Sequence, residues 1–501
     1  MEATMLNLAA RRFWKRDEGS FAPAFALSLA ALLSAVGVSV DYTRSVTLRA
    51  RLQAATDSAA LNLSKEAAQL TDAQLQARAE ELVATGLSGA SYIALKLSLT
   101  KGAGVLNLQT TATQKTTVSG LFAVHTVDVA AASIAQWGIG KVEVALVLDN
   151  TGSMAGTKLT NLKTAAKSLI DQLGKAQNDQ QLVKVGIVPF SMTVNVGGAY
   201  QNASWMDTKA LSPIHGEIFT SAANRFDLFN KMGVAWGGCV ESRPMPYDVQ
   251  ETPPSQATPA TLFVPFFAPD EPDSGGAYYN NYLSDASGTS TWRDRQGDPR
   301  KYTKAPKRGT NSVGYTYGPN AGCALAPITR LTNNLDSAKT AIDQMVAVGD
   351  TNIAMGLAWG WHVLSPNAPF ADGAAYGTKD LTKFAILMTD GDNTNTDTSN
   401  ADDSIYSGIG YIWQNRLGIS SGTAGQRQTA MDNRLKTLCS NMKAQGVQLF
   451  TVRVEVTTGS SSLLQSCASD PSMFYNVANS ADLTSVFSQI SAKIAKLHLA
   501  M

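Results

Sequence analysis

Histidine is scarce in this chain, and its positive and negative charges almost cancel. The four histidines, at 125, 215, 362 and 498, are scattered and belong to no HExxH or paired CxxC motif. No glycine-rich phosphate loop accompanies them, so zinc and nucleotide chemistry lack their usual signatures. The 41 basic residues are balanced by 40 acidic ones. Because there is no basic excess, the chain has no electrostatic footprint for nucleic acid.

Cysteine is equally rare, and its distribution is uneven. All four cysteines lie in the second half of the chain, at 239, 323, 439 and 467. They are too far apart for a compact metal knuckle, and an even number in an exported protein favours disulfides. Of the three possible connectivities we favour 239 with 323 and 439 with 467, because each pair would close one local excursion. Reduced, buried thiols are the alternative.

Charge is also absent from one long segment near the amino terminus. Residues 21–40 carry no charged side chain and are long enough to cross a bilayer, after a basic tail over 1–19. We predict a transmembrane helix over 20–40; a cleaved signal peptide and a prepilin-type cut beside Gly19 are the alternatives. Arginines flank both ends, so the positive-inside rule barely decides the orientation. The short tail and the cysteines favour a cytoplasmic amino terminus and a body outside.

Helix and strand periodicities follow the apolar segment. Leucine or alanine at 48, 52, 55, 59 and 63 predicts an amphipathic helix continuous with the span. Thr71 and Gln74 form a capping box that begins a second helix, which ends near Gly86. Apolar side chains then alternate over 93–99 and again after a turn at 101–104, and a third strand is expected around 124–129. Residues 41–138 are therefore predicted to form a small pilin-like α+β region.

Two short motifs border the apolar segment. Glu18 and Gly19 precede it, and Asp41, Tyr42 and the helical run LQAATDSAAL, which begins at Leu52, follow it. In this order, residues 17–61 resemble the amino-terminal segment of TadE/TadG-like pilus-assembly proteins. The resemblance implies a component of a tight-adherence (Flp/Tad) pilus assembly system that crosses the bacterial inner membrane once.

Strand and helix patterns alternate from residue 141 to 499. Apolar strand runs at 142–148, 183–190, 384–388, 447–454 and 473–477 are accompanied by helical patterns at 159–173, at 335–346 and from about Asp482. This alternation predicts an α/β fold with a doubly wound sheet. The periodicity disappears between about 195 and 330, where proline, tyrosine and tryptophan dominate. We expect a functional insertion or a subdomain there.

Two charged segments of this half are expected to be solvent-exposed. The basic run over 293–308 lies within the insertion and has the composition of a solvated loop. The carboxylates at Asp392, Asp397, Asp402 and Asp403 lack the glycine and the terminal glutamate of a calcium loop. We therefore interpret both segments as surface.

Oxygen-bearing side chains follow the predicted strands at 142–148 and 384–388. Asp149, Thr151 and Ser153 stand at every second position after the first of these strands, and Asp390 follows the other. Thr351 lies on a loop before an apolar helix. Open α/β sheets place their ligands at the carboxyl ends of parallel strands, and hard cations prefer oxygen donors. The sequence therefore predicts a divalent-cation site at this edge of the sheet.

The motif order is an aspartate with alternating hydroxyls, then a lone threonine, then T-D-G after an apolar strand. It is similar to the von Willebrand factor A domain and its metal-ion-dependent adhesion site (MIDAS), over residues 141–499, with 195–330 as a family-variable insertion. The resemblance implies hydroxyl ligands at Thr151, Ser153 and Thr351, while Asp149 and Asp390 would hold the ion directly or through water. Thr151 stands where many members carry serine, and its hydroxyl can still coordinate. The implied ion is Mg²⁺, with Mn²⁺ or Ca²⁺ as alternatives.

A site of this kind would bind rather than catalyse. Neutral hydroxyls leave the charge of the cation poorly neutralised, so its open position would attract a carboxylate of a protein partner, such as a pilus or secretion component. We therefore expect a membrane-anchored, non-enzymatic protein whose large domain is periplasmic or surface-exposed. A surface adhesin that binds host or matrix ligands is the alternative. A hydrolase is disfavoured because no histidine stands beside a serine or cysteine in a recognisable motif.

Overall fold

The chain folds into two compact units that meet in sequence between Gly138 and Ile139. The structure, a computed structural model, describes residues 21–67, 70–102, 105–136, 141–176, 183–456 and 462–499. The tail over 1–19 and part of the turn at 101–104 lie outside these ranges.

The first unit consists of two helices followed by three strands. The helices are α1 (Phe21–Glu66) and α2 (Asp72–Gly86), and the strands are β1 (Ala94–Gly102), β2 (Val105–Lys115) and β3 (Thr126–Gln136). The strands form an antiparallel sheet in the order β1-β2-β3. Leu52 and Leu63 of α1, Leu75 of α2, and Leu106 and Leu108 of β2 are buried in one core.

Helix α1 has two halves of different character. Its first twenty residues expose large apolar side chains, including Phe21, Leu32 and Leu33, and the helix is long and apolar enough to cross a membrane. The second half buries the predicted stripe from Leu48 to Leu63. The predicted amphipathic continuation of the apolar segment is confirmed.

The start of α2 is also confirmed, and the third strand is present but begins later and runs further than predicted. Thr71 and Gln74 form the expected capping box. The third strand was predicted around 124–129, but a 3₁₀ turn at Ser119–Phe122 ends with Ala123 in a left-handed conformation, and β3 runs over Thr126–Gln136. Its alanine-rich second half lacks apolar alternation. Hydrogen bonding to β2 extends this strand, a tertiary effect that a periodicity does not register.

The second unit alternates strands and helices. Its strands are β4 (Lys141–Asp149), β5 (Val183–Phe190), β6 (Val194–Asn195), β7 (Cys239–Val240), β8 (Thr329–Thr332), β9 (Leu381–Thr389), β10 (Gln448–Val454) and β11 (Phe474–Val477). Its helices are α3 (Thr157–Ala176), α4 (Arg225–Met232), α5 (Trp292–Gly297), α6 (Leu335–Asp343), α7 (Ile353–Leu364), α8 (Ala424–Ala444), α9 (Ser462–Cys467) and α10 (Leu483–Leu499). The unit is thus of the mixed α/β type. The 21-residue helix α8 was not predicted.

A mainly parallel sheet forms the centre of this unit. Strands β11-β10-β9-β4-β5 are neighbours in that order and run parallel, while β6 and β8 pair antiparallel with β5. The central strand β4 is buried on both faces: Val144 and Leu146 face a core that includes α3, α6 and α10. Ala145 and Val147 face a second core that includes α7 and α8. Helices therefore cover both faces of the sheet, as the unbroken apolar strand predicted.

The segment over 195–330 is a folded part of the second core. It contributes short helices, turns and buried aromatic side chains, among them Phe229, Phe266 and Tyr302. A disulfide joins Cys239 to Cys323, and a second one joins Cys439 to Cys467. Both predicted pairings are confirmed, and the first joins two positions of the insertion that are 84 residues apart in sequence.

Two charged residues that were expected at the surface are buried instead. Lys301, within the basic run, places Nζ 2.8 Å from Asp270 Oδ2. Asp402 accepts hydrogen bonds from Trp413 Nε1 at 3.1 Å and Gln296 Nε2 at 3.2 Å. The prediction was wrong at these positions because the partners are distant in sequence, so a local charge pattern could not reveal them.

Candidate functional site

The candidate site begins where two adjacent parallel strands end. Strands β4 and β9 run side by side, with Leu148 opposite Met388. Asp149 and Thr389 therefore reach the same edge of the sheet, and Asp390 follows directly. A backbone hydrogen bond of 3.0 Å from Gly152 N to Gly349 O joins the loop after β4 to the loop before α7. The sheet thus brings the three predicted loops together.

A chain of hydrogen bonds between side chains links three of the five predicted residues. Thr151 Oγ1 and Ser153 Oγ lie 3.0 Å apart, and Ser153 Oγ donates to Asp390 Oδ1 at 2.7 Å. The other carboxylate oxygen of Asp390 accepts from Lys158 Nζ, also at 2.7 Å. The Asp390 side chain is fully buried, whereas Lys158 is partly exposed. This carboxylate is therefore held between a hydroxyl and an ammonium group.

Asp149 is fully buried and has only uncharged hydrogen-bond donors. Its Oδ1 accepts from Thr151 N at 2.8 Å, and its Oδ2 accepts from Thr389 Oγ1 at 2.6 Å. Burial raises the pKa of Asp149 to about 6, against the lowering effect of these hydrogen bonds, and the neighbouring Asp390 carboxylate raises it further. A buried carboxylate without a cationic partner is costly to ionise. Asp149 is thus poised to gain from a positive charge.

Thr351 occupies the neighbouring loop and is held there by its backbone. Its N–H donates to Thr394 Oγ1 at 2.8 Å, and its carbonyl accepts from Thr394 N at 2.9 Å. Thr351 is buried. Among the described residues, its hydroxyl forms no hydrogen bond with the other four predicted ligands, so it borders the cluster without belonging to the hydrogen-bonded chain.

The donor set suits a hard divalent cation. The described ranges contain no group of three or more His, Cys, Asp or Glu side chains suited to a metal, so a cation at this edge would depend on hydroxyls. Thr151, Ser153, Asp149 and Asp390 offer oxygen atoms alone, which is the chemistry that Mg²⁺ prefers. The roles of these residues as ligands, and that of Thr351, stay predictions.

Two residues of the cluster were missed as participants from the sequence. Thr389 belongs to the T-D-G motif, but only the fold shows that its hydroxyl bonds Asp149 rather than its own neighbour Asp390. Lys158 lies in the first turns of α3, five residues after Ser153. Its position just beyond the first motif was the available signal, because so short a connection keeps the start of α3 close to the end of β4.

Comparison with known proteins gives a family match for the amino-terminal segment. Residues 19–62 match a family model described as "Putative Flp pilus-assembly TadE/G-like". This range includes the apolar half of α1 and most of its buried half. No curated protein sequence matches the chain.

Solved structures that resemble the chain include several pilus proteins at low similarity. The pilus adhesin SpaC from Lactobacillus rhamnosus GG has 11% identity and a TM-score of 0.32, with 81% of this chain and 34% of that one covered. The pilus adhesin RrgA from Streptococcus pneumoniae has 12% identity and a TM-score of 0.33, with 80% and 49% covered. The vWF domain of the type V pili tip protein Mfa5 from Porphyromonas gingivalis has 11% identity and a TM-score of 0.32, with 71% and 95% covered. The chain thus spans about a third of the length of SpaC.

Proposed function

We propose that this protein is a membrane-anchored component of a tight-adherence (Flp/Tad) pilus assembly system. The match of residues 19–62 to the TadE/G-like model is the observation that carries the proposal. It coincides with the helix that is apolar and long enough to span a bilayer. In this proposal α1 crosses the bacterial inner membrane, and both folded units lie outside the cytoplasm. The two disulfides agree with an oxidising compartment.

The second unit is proposed to be a von Willebrand A-type domain with a doubly wound sheet. Its support is topological: parallel strands in the order β5-β4-β9-β10-β11, an antiparallel edge at β8, and helices on both faces. Ligands of such sheets bind where the strand order reverses, outside the carboxyl ends of the strands. The reversal lies between β4 and β9, and the oxygen cluster stands there.

The cluster is proposed to be a metal-ion-dependent adhesion site for Mg²⁺, with Mn²⁺ or Ca²⁺ as alternatives. A bound cation would supply a Lewis-acidic position that accepts a carboxylate from a protein partner. Thr151, Ser153 and Thr351 would provide hydroxyl oxygens, and Asp149 and Asp390 the compensating charge. The raised pKa of Asp149 favours this role, since a nearby cation offsets the cost of its ionisation.

The proposed activity is binding, without catalysis. His215 is the histidine most suggestive of a catalytic group, because its Nδ1 lies 2.9 Å from Asp207 Oδ2. Its Nε2, however, accepts a hydrogen bond from Arg225 N, and the side chain is completely buried. Both ring nitrogens are occupied by structural contacts, so this histidine cannot serve as a general base.

Calorimetric titration tests the metal site. Mg²⁺, Mn²⁺ and Ca²⁺ are titrated into the full chain in detergent, with disulfides intact, and into the variants Asp149→Ala and Asp392→Ala. Asp392 is exposed in the same loop region, so its variant removes an equal charge without touching the cluster. We expect binding to the parent protein and to Asp392→Ala, and none to Asp149→Ala.

Circular dichroism must show that Asp149→Ala remains folded. Unfolding of that variant would make Asp149 a structural residue, and the absence of binding to the parent protein would contradict the metal site.

Deletion and complementation test the cellular role. Loss of pili on deletion, restored by the parent chain but not by Asp149→Ala, is the expected result. Normal pili with a loss of attachment to host or matrix ligands would instead support the alternative of a surface adhesin.

A further inference from the structure

The connection between β2 and β3 ends in an apolar tip, defined here as residues 118–124. Leu121 is 83% exposed, Phe122 55% and Val124 48%. No charged residue lies within the tip. Single exposed apolar side chains are ordinary, but three within four residues on one turn form a contiguous patch, and such patches mark contact with a partner or a membrane.

The carboxylate of Asp41 fastens this tip to helix α1. It accepts backbone hydrogen bonds from Thr117 at 2.9 Å, Val118 at 2.9 Å and Ser119 at 2.8 Å. Asp41 is itself buried by these contacts. Three N–H groups gathered by one carboxylate hold the turn firmly, so the tip has a fixed position along the helix.

The contact at Gly37 shows towards which end of α1 the tip points. A Cβ atom at Gly37 would lie 2.2 Å from Val118 Cγ1, so only glycine allows the valine to pack there. Gly37 lies one helical turn closer to the apolar end than Asp41. The chain therefore advances along α1 towards the uncharged segment as it passes from Thr117 to Val118, and Leu121 and Phe122 follow.

The level of this contact coincides with the edge of the uncharged segment. The twenty residues of 21–40 rise about 30 Å as a helix, the thickness of a bilayer hydrocarbon core. Residue 40 would then stand at the membrane surface, with Tyr42 exposed beside it in the position favoured by interfacial aromatic side chains. Arg44, which donates to Thr117 Oγ1 at 2.5 Å, lies on the aqueous side. Because the tip is fastened to α1 at 37–41, it lies at this membrane surface as well.

We propose that the apolar tip inserts into the lipid bilayer beside α1, as a second, interfacial membrane anchor for the first unit. The proposal rests on the proposed membrane span of α1. Lipid is favoured over a protein partner because the tip is fastened to α1 at Gly37 and Asp41, at the edge of the uncharged segment whose large apolar side chains are exposed. Two attachment points would prevent the first unit from tilting about a single helix.

Three matched leucines allow a direct test in the full chain. The four native cysteines are all in disulfides, so Leu33→Cys, Leu61→Cys and Leu121→Cys each introduce a single free thiol. Leu33 and Leu61 are 62% and 63% exposed on α1, in the apolar half and in the aqueous half. Each variant carries an environment-sensitive fluorophore and is reconstituted in phosphatidylcholine–phosphatidylglycerol vesicles, with or without nitroxide-labelled lipid.

The expected result is a blue-shifted, lipid-quenched probe at positions 33 and 121 and an unquenched, water-exposed probe at 61. A shallow nitroxide should quench position 121 more strongly, and a deep nitroxide position 33. Quenching at 33 with a water-exposed probe at 121 would overturn the second anchor and leave the span intact. A water-exposed probe at 33 would overturn the span, and the anchor with it.

A probe at 121 that is shielded from both water and lipid would overturn the lipid assignment in favour of a protein partner, including a second copy. Phe122→Cys repeats the measurement on the other exposed side chain, so the test does not depend on one substitution.

Discussion

The insertion over 195–330 and the strand-end cluster both bury carboxylates, but they neutralise them differently. In the insertion, Glu241 is fully buried and contacts Arg225, Arg416 and Tyr406. At the strand ends, Asp149 is equally buried and receives only a hydroxyl and a backbone N–H. A buried carboxylate such as Glu241, which cationic side chains of the protein neutralise, needs no role beyond stability. The absence of a cationic partner for Asp149 among the described residues supports the proposed cation site.

The largest expected effect is the collapse of the network in the insertion. Glu241→Ala leaves the Arg225 and Arg416 guanidinium groups buried without their shared carboxylate, which should lower the free energy of unfolding by about 3–5 kcal/mol. Asp343→Ala is the control, because it breaks the exposed Lys167–Asp343 pair at 2.6 Å and should cost less than about 1 kcal/mol. Tryptophan fluorescence reports denaturant unfolding of this unit, in which Trp205, Trp236 and Trp359 are buried. Equal decreases in the free energy of unfolding for Glu241→Ala and Asp343→Ala would contradict the expected difference between a buried network and an exposed ion pair.

Asp149→Asn is expected to raise the free energy of unfolding of the metal-free protein, whereas Glu241→Ala lowers it. The folded pKa of Asp149 is raised from 3.8 to about 6, so the protonated carboxyl stabilises the fold at low pH. This stability is lost as the pH rises to 6. Relative to the parent, Asp149→Asn should therefore gain up to about 3 kcal/mol of stability between pH 4 and pH 6.

Denaturant unfolding in EDTA, at pH 4 and pH 7.5, measures this gain, with Asp392→Asn as the control. Mg²⁺ in excess of the EDTA should then stabilise the parent and Asp392→Asn, but not Asp149→Asn. A constant difference across this pH range would show that Asp149 is adequately neutralised by its present contacts.

The smallest expected effect concerns Lys158, the single ammonium in the cluster. Its Nζ lies 2.7 Å from Asp390 Oδ2, where it partly offsets the charge that a cation would use. Lys158→Met should tighten Mg²⁺ binding roughly threefold to tenfold, on the order of 1 kcal/mol. Lys163→Met removes the same charge from the same helix, where Nζ donates a hydrogen bond to the Asp343 carbonyl, and should change the affinity little. Weaker binding in Lys158→Met would make the lysine a positioning residue for Asp390.

The comparison also separates what sequence could predict from what it could not. Strands β4, β5 and β9 were predicted because strands buried on both faces appear as unbroken apolar runs. The position of the strand-end residues could be predicted next, because the carboxyl ends of parallel strands lie at the same edge of a sheet for any length of connecting loop. Local patterns were therefore enough to predict that Asp149, Ser153 and Asp390 lie at one edge of the sheet.

Contacts between residues that are distant in sequence could not be predicted from local patterns. The sequence around Lys301 gives no sign of its partner Asp270, and the sequence around Asp402 gives none of Trp413. Lys301 and Asp402 were therefore predicted to be exposed. The unpredicted helix α8 carried a usable signal, with Met431, Leu435, Leu438 and Met442 buried at helical spacing. The polar residues between them obscured it. The Thr389 hydroxyl was overlooked for a different reason, because its partner Asp149 becomes its neighbour only once β4 and β9 pair.

The position of β4 between β5 and β9 has a consequence for biosynthesis. The chain emerges amino terminus first, and β9 ends at Thr389, long after β5 ends at Phe190. At 5–20 residues per second, roughly 10–40 s pass before β4 acquires its second neighbour. During that interval one edge of β4, in which residues 144–148 are all apolar, stays open to other chains. The order of the strands in the chain thus makes this interval the stage at which the unit is most prone to aggregate.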